Sequence, residues 1–243
     1  MVVQRGDKGM RIISEASKEV LKNSHATLKW MWIIVMGFAV KKAIETFIYY
    51  IEPSTGAEVL RDWQHFYLKD VMLFIIFILT MVRFYHGDSR YLDRTYLESQ
   101  LRTFNPKTYS ARNRFCDFCL LLIHAILFYS LAAHQRNFPI FFCIYGSLLL
   151  FNAVWLGIMS LRALRKEDVK YPLNWAINNV IHVCFFIALY LCTNKLEASY
   201  SYIIFFALAI SNSLFDYLTT WPYYFPKIVE ANQKPPIKNR AQI

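Results

Sequence analysis

The sequence predicts an all-α protein, a polytopic bundle of about six transmembrane helices with both termini cytoplasmic. Three observations carry this. Of 243 residues, 56% are hydrophobic and 17% aromatic, more than the roughly 45–50% apolar content of a soluble domain. The apolar residues fall in long blocks, and about 20 in a row can be buried in hydrocarbon without a protein partner. The charges gather between the blocks, and unevenly.

The six predicted spans are Leu28–Ile51, Phe66–Tyr85, Phe115–Ala133, Phe138–Leu161, Tyr171–Cys192 and Ser199–Trp221. Each is long enough to cross a core of about 30 Å at about 1.5 Å per residue. The first is interrupted by Lys41, Lys42 and Glu45. The second contains VMLFIIFILTMV and ends in RFYHGDSRYLD. The third and fourth are separated only by His134–Asn137, a hairpin turn before Pro139. This divides the chain into a cytoplasmic segment 1–27, a bundle 28–221 with a basic loop 83–114, and a cytoplasmic tail 222–243 whose last stretch, PPIKNRAQI, reads as a disordered end. The polar, charged start reads as no cleavable signal peptide.

Charge sets the expected direction. With Lys29 and Arg83 assigned to the ends they adjoin, 21 of the 27 Lys and Arg lie in the N-terminal segment, loops two and four, and the tail. Four lie on the opposite side: Arg61, Lys69, Arg136 and Lys195. Including acids, the faces carry +12 and −1, which places the basic face in the cytoplasm. Attraction to anionic lipid accounts for part of such an excess. The five cysteines sit in or beside apolar runs. An odd, buried set argues against a disulfide framework, and Cys116-x-x-Cys119 lacks the second pair of a metal site. Sparse glycine and proline, without paired halves, argue against a secondary transporter.

Polar residues inside the spans are costly in lipid and turn toward protein or water. His124, Asn152, His182 and Asn212 share one level, about 13–17 Å from the basic ends at about 1.5 Å per residue. Asp117, Asn174, Asn178, Asp216 and Arg83 form a shallower layer. Asn174, Asn178 and His182 lie at i, i+4 and i+8, as Asn212 and Asp216 lie at i and i+4. Two readings stay open for this intramembrane set: hydrogen bonding between helices, or a hydrated path. Two histidines with amides make a poor zinc set, so no metal is expected.

In the first span, Lys41, Lys42 and Glu45 fall beyond mid-membrane, where a lone ammonium is expensive. Several copies around an axis would shelter them as a pore lining. Trp30 and Trp32 would then narrow the opening, since hydrophobic constrictions gate by excluding water. The competing reading is an interfacial tryptophan belt with snorkelling lysines.

In the 83–114 loop, Ser89 is placed to cap a helix running to about Thr103, ended by Asn105-Pro106. Arg83, His86, Arg90, Arg94, Arg102, Arg112 and Arg114, interleaved with aromatic residues, suit phosphate and base recognition. The same pattern suits a surface helix touching lipid head groups. Arg83 either snorkels or pairs with Asp117 or Asp216. As a catalytic set the stretch is weak, because His86 and Asp88 flank Gly87 without defined geometry. No Gly-rich phosphate loop, HExxH or GxSxG appears. No catalytic residue and no cofactor are assigned.

The layout resembles the membrane subunits of bacterial antiphage-defence systems, and most the channel subunit of the Hailong system. The likeness is a basic cytoplasmic surface, a first helix bearing Trp30 and Trp32, and a compact helical bundle. It implies a bacterial inner-membrane homo-oligomer, a tetramer, with an ion path gated by an anionic ligand such as a nucleotide or oligonucleotide and a soluble cytoplasmic partner. Two further classes remain open: a membrane enzyme acting on lipid or lipid-linked substrate, with Arg83, His86, Asp88, Asp117 and Asp216 at the interface, and a non-conducting scaffold.

Overall fold

A computed structural model describes residues 15–51, 56–61, 67–98, 111–162, 166–192 and 198–225. Six long helices dominate: α1 (Glu15–Ile48), α2 (Leu68–Leu92), α3 (Ala111–Ala133), α4 (Phe138–Arg162), α5 (Lys166–Cys192) and α6 (Ala198–Tyr224). Four of them, α3 to α6, are long and apolar enough to cross a membrane by length and composition. Charges set the other two apart: Lys29, Lys41, Lys42 and Glu45 in α1, and Lys69, Asp70, Arg83, Asp88 and Arg90 in α2.

Two predicted elements are redrawn. The first apolar segment is not helical to its end. The helix stops at Ile48, and Tyr49–Ile51 pairs antiparallel with Glu58–Leu60, Tyr49 opposite Leu60. β-Branched and aromatic residues favour that change. Gly56, at φ 66°, adopts a left-handed conformation that costs other residues more. The second segment runs past Tyr85. Ser89 lies inside α2 instead of capping a new helix, and Asp93–Glu98 continues as a π-helical turn. Residues 99–110, the rest of the predicted loop helix, lie outside the described residues. The turn at His134–Asn137 is as expected, with Asn137 N–H bonded to His134 O at 2.9 Å and Asn137 Oδ1 accepting from Ile140 N–H at 3.3 Å.

The helices contact one another in a closed ring, α1–α3–α4–α5–α6–α2 and back to α1. Outside, the ring is apolar: Ile126, Val154, Phe185, Ile187, Leu214 and Leu218 are all exposed. Exposed polar hydroxyls such as Ser147 and Thr219 bond the carbonyl four residues back, which satisfies them without water. Such a surface, with charged groups turned inward, belongs to a membrane protein.

The ring's interior has two halves. Toward the α3–α4 turn it is an aromatic plug. Phe205 meets Phe138, Phe141, Phe142, Tyr145 and Phe186 with ring centroids 5.2–6.2 Å apart, distances at which edge-to-face packing is favourable. Toward the opposite end the interior is polar.

Candidate functional site

The centre of the polar half is built from one or two residues of each of four helices. Arg83 and Asp88 come from α2, His124 from α3, Asn152 from α4 and Asn179 from α5, all buried. They form one chain. Asp88 Oδ2 lies 3.2 Å from His124 Nδ1. His124 Nε2 lies 3.5 Å from Asn152 Nδ2, at the long limit of a hydrogen bond. Asn152 Oδ1 accepts from Asn179 Nδ2, and Asn179 Oδ1 accepts from Arg83 Nη2, both at 2.9 Å. The chain thus crosses four helices between two ionisable ends.

Two smaller groups flank it. On α5 and α6, Asn178 Nδ2 donates to Asn212 Oδ1 at 2.7 Å. One turn on, His182 pairs its ring nitrogens with Asn178 O and Ser211 Oγ. Asp216 accepts from Tyr224 at 2.7 Å and is within 3.4 Å of the Thr220 hydroxyl.

The predicted polar residues therefore converge, with exceptions. Asn174 is half-buried and outside these groups among the described residues. Asp117 does not meet Arg83, because it accepts from Tyr91 at 2.8 Å and Tyr96 at 2.6 Å. Arg83 does not snorkel either, since its exposure is 0%. Asn179, the hub between Asn152 and Arg83, was not singled out from the sequence. Its position next to Asn178 hid it, because neighbouring residues on a helix point about 100° apart. Asp88 had been read as part of an exposed loop; α2 running on to Leu92 carries it inside.

Of the predicted ligand-binding set, His86, Arg90 and Arg94 gather at the end of α6. His86 Nδ1 is 2.7 Å from Tyr217 OH and packs on Tyr224 and Phe225. Arg90 Nε donates to Tyr223 O at 2.9 Å, and the Arg94 guanidinium lies over the Tyr223 ring at 5.2 Å. Arg114 lines a shallow groove with Phe115 and α1 residues Ser24 and Thr27. Arg102 and the Arg112 side chain lie outside the described residues.

The predicted pore set splits as well. α1 packs one face on α2 and α3 through Leu21, Leu28, Trp32, Met36, Ala39 and Ala43. Trp32 is enclosed by His124 and Phe128, so it cannot narrow an opening between copies. Trp30 is outward, with Ile34, Phe38 and Lys41. Lys41 and Lys42 lie 3.7 and 3.9 Å from Glu45. These charges lie toward the end of the bundle that carries the α3–α4 turn. The next carbonyl, Thr46 O, accepts from Arg136 of the α3–α4 turn at 2.6 Å, and Arg61 bonds Asp70 there at 2.6 Å. Burial and then the like charge of Arg61 lower the Arg136 pKa from its ordinary value. At the other end, Asp93 of the π-turn holds His25 at 2.7 Å and Lys29 at 3.0 Å, clamping α1 to α2.

Among the described residues, no group of three or more His, Cys, Asp or Glu is placed to hold a metal ion. No protein-family model, curated protein or solved structure matches the chain.

Proposed function

We propose that the protein is a channel-like membrane protein whose ion path uses the polar interior of the ring, closed in this state by the aromatic plug. One observation carries the reading: the chain Asp88–His124–Asn152–Asn179–Arg83 lies buried inside the bundle, in line with the aromatic plug. Ionisable side chains at such places commonly mark ion pathways. A dry aromatic constriction in series with a polar stretch is a closed gate of the dewetting kind.

The wider reading adds α1 and α2 to the four apolar spans, giving six, with both termini at the basic, cytoplasmic face. Copies associate as a homo-oligomer through the outward strip of α1. An anionic cytoplasmic ligand, such as a nucleotide or short oligonucleotide, acts on the basic end. The Asp93 clamp between α1 and the π-turn is the joint such a ligand would strain. The resemblance in layout to antiphage-defence subunits makes a bacterial inner-membrane effector the setting we favour.

The test is ion flux through the purified oligomer in liposomes, with anionic oligonucleotide added and then removed. Flux is expected in one of the two states, and Asn152→Leu, which cuts the chain at its centre, is expected to lower it at least about tenfold, the effect of about 1.4 kcal/mol on a barrier. A pure oligomer silent in both states would end the conduction reading.

A further inference from the structure

Arg83 is a buried cation whose donors are mostly unmet. Its side chain is fully buried, and only Nη2 is bonded, to Asn179 Oδ1 at 2.9 Å. Nε and Nη1 have no acceptor. A guanidinium stays protonated in proteins, and an uncompensated buried charge is expensive. Its face lies 5.1 Å from the Phe84 ring centre, a contact that offsets only part of that cost. Asp216 is near enough to feel the charge, but its carboxylate is engaged by Tyr224 and Thr220 and forms no ion pair with Arg83.

The surroundings repeat the imbalance. Trp175 Nε1 and Asn212 Nδ2 are also buried donors without acceptors, whereas Asn178 Oδ1 is the one amide acceptor left open beside them. Asn178 is bonded to Asn212 of α6 and adjoins Asn179, the partner of Arg83, on α5. Trp175 is one turn before Asn179, and its ring lies against Gly87, one turn after Arg83. Asn212 is one turn before Asp216 on α6. A surplus of donors around a fixed positive charge calls for an acceptor that brings negative charge. Water supplies the first but not the second.

We infer that the open edge of Arg83, with Asn179, Trp175 and Asn212 around it, is an internal binding site for a small, weakly hydrated monovalent anion of the chloride kind. The Phe84 ring, with Trp175 edge-on to it at 5.9 Å, forms one wall, which disfavours large or strongly hydrated anions. The inference deepens the conduction reading, on which it rests for the ion's role in transport. Binding is measured separately.

The experiment uses the full chain as the purified oligomer, with chloride exchanged for gluconate at constant cation, and reads thermal unfolding and liposome flux. Chloride is expected to raise Tm by about 5 °C at saturation. Asn179→Asp puts a carboxylate where Arg83 already donates and is expected to reduce the shift to within about 1 °C. Arg83→Gln removes the charge and is expected to do the same; if it does not fold, Asn179→Asp decides. An equal chloride shift in wild type and Asn179→Asp, or no shift in wild type, overturns the inference. Flux without a chloride shift leaves conduction standing and removes the site. A chloride shift without flux in either ligand state supports the site and removes conduction.

Discussion

The two halves of the ring's interior are held together by opposite kinds of force. The aromatic half around Phe205 depends on dispersion and ring geometry, summed over many weak contacts. The polar half depends on a few directional bonds, each of which matters because an unmet partner cannot turn to water. The first half is therefore sensitive to volume and the second to single atoms. In a channel the same division separates a gate from a path.

Phe205→Ala tests the first half and has the largest expected effect. It removes a ring that five others contact. Truncating a buried Phe costs about 3–5 kcal/mol, so unfolding in detergent should occur at clearly lower temperature. If the plug is the gate, the variant should also leak ions without ligand. A destabilised but tight variant would assign the plug to packing alone.

How far the sequence led follows the same division. The apolar spans α3 to α6 and the turn at His134–Asn137 were legible, because block length and a short polar break report helix and hairpin directly. Depth alone put His124, Asn152, His182 and Asn212 on one level; His124 does meet Asn152, whereas Asn212 meets Asn178, read as a layer shallower. Facing was harder. Trp30 and Trp32, two residues apart, lie on opposite sides of α1, and the sequence has no signal for which side meets α3. The charges of α1 drew notice because three stand together, yet they sit by the turn end of the bundle. The isolated Arg83 at the close of an apolar run resembled an ordinary membrane exit. Only the continuation of α2 to Leu92 and the arrival of Asn179 from α5 show it to be enclosed.

Gly87→Ala sharpens the boundary of the polar half and should have the next largest effect. A Cβ there would collide with the Trp175 ring, and that ring, 4% exposed, is confined. Overpacking of this kind costs about 1–3 kcal/mol. Displacing Trp175 should also change its fluorescence, an effect Gly146→Ala should not reproduce, since nothing lies within 4 Å of a Cβ built there. Unchanged stability in Gly87→Ala would mean that α2 and α5 do not approach this closely.

Tyr96→Phe probes a single bond. Asp117 would keep Tyr91 at 2.8 Å and lose Tyr96 at 2.6 Å. A hydrogen bond to a carboxylate contributes about 1.5–3 kcal/mol, and Tyr91, still bonded to Asp117, should hold the loss to the lower end of that range. A loss equal to that of Asp117→Asn would show that the two hydroxyls act as one unit.

The smallest effect on stability should come from α1, which sharpens the contrast by standing outside both halves. Exchanging the charges in Lys41→Glu with Glu45→Lys keeps the 41–45 pair while reversing its direction, and replaces the weak 3.9 Å attraction between Lys42 and position 45 by repulsion. The present contact is 3.7 Å long and the lysine side chain is 73% exposed, and pairs of this kind contribute less than about 1 kcal/mol. The Tm of the single chain should therefore hardly move. The oligomer is another matter, because copies meeting through the strip Trp30–Ile34–Phe38–Lys41 would bring these charges against a neighbour. There the exchange should shift the mass distribution in native mass spectrometry toward smaller species. An unchanged distribution would place the subunit contact on another face of the ring, and would leave α1 as a lipid-facing helix whose charges reach the membrane border beside Arg136.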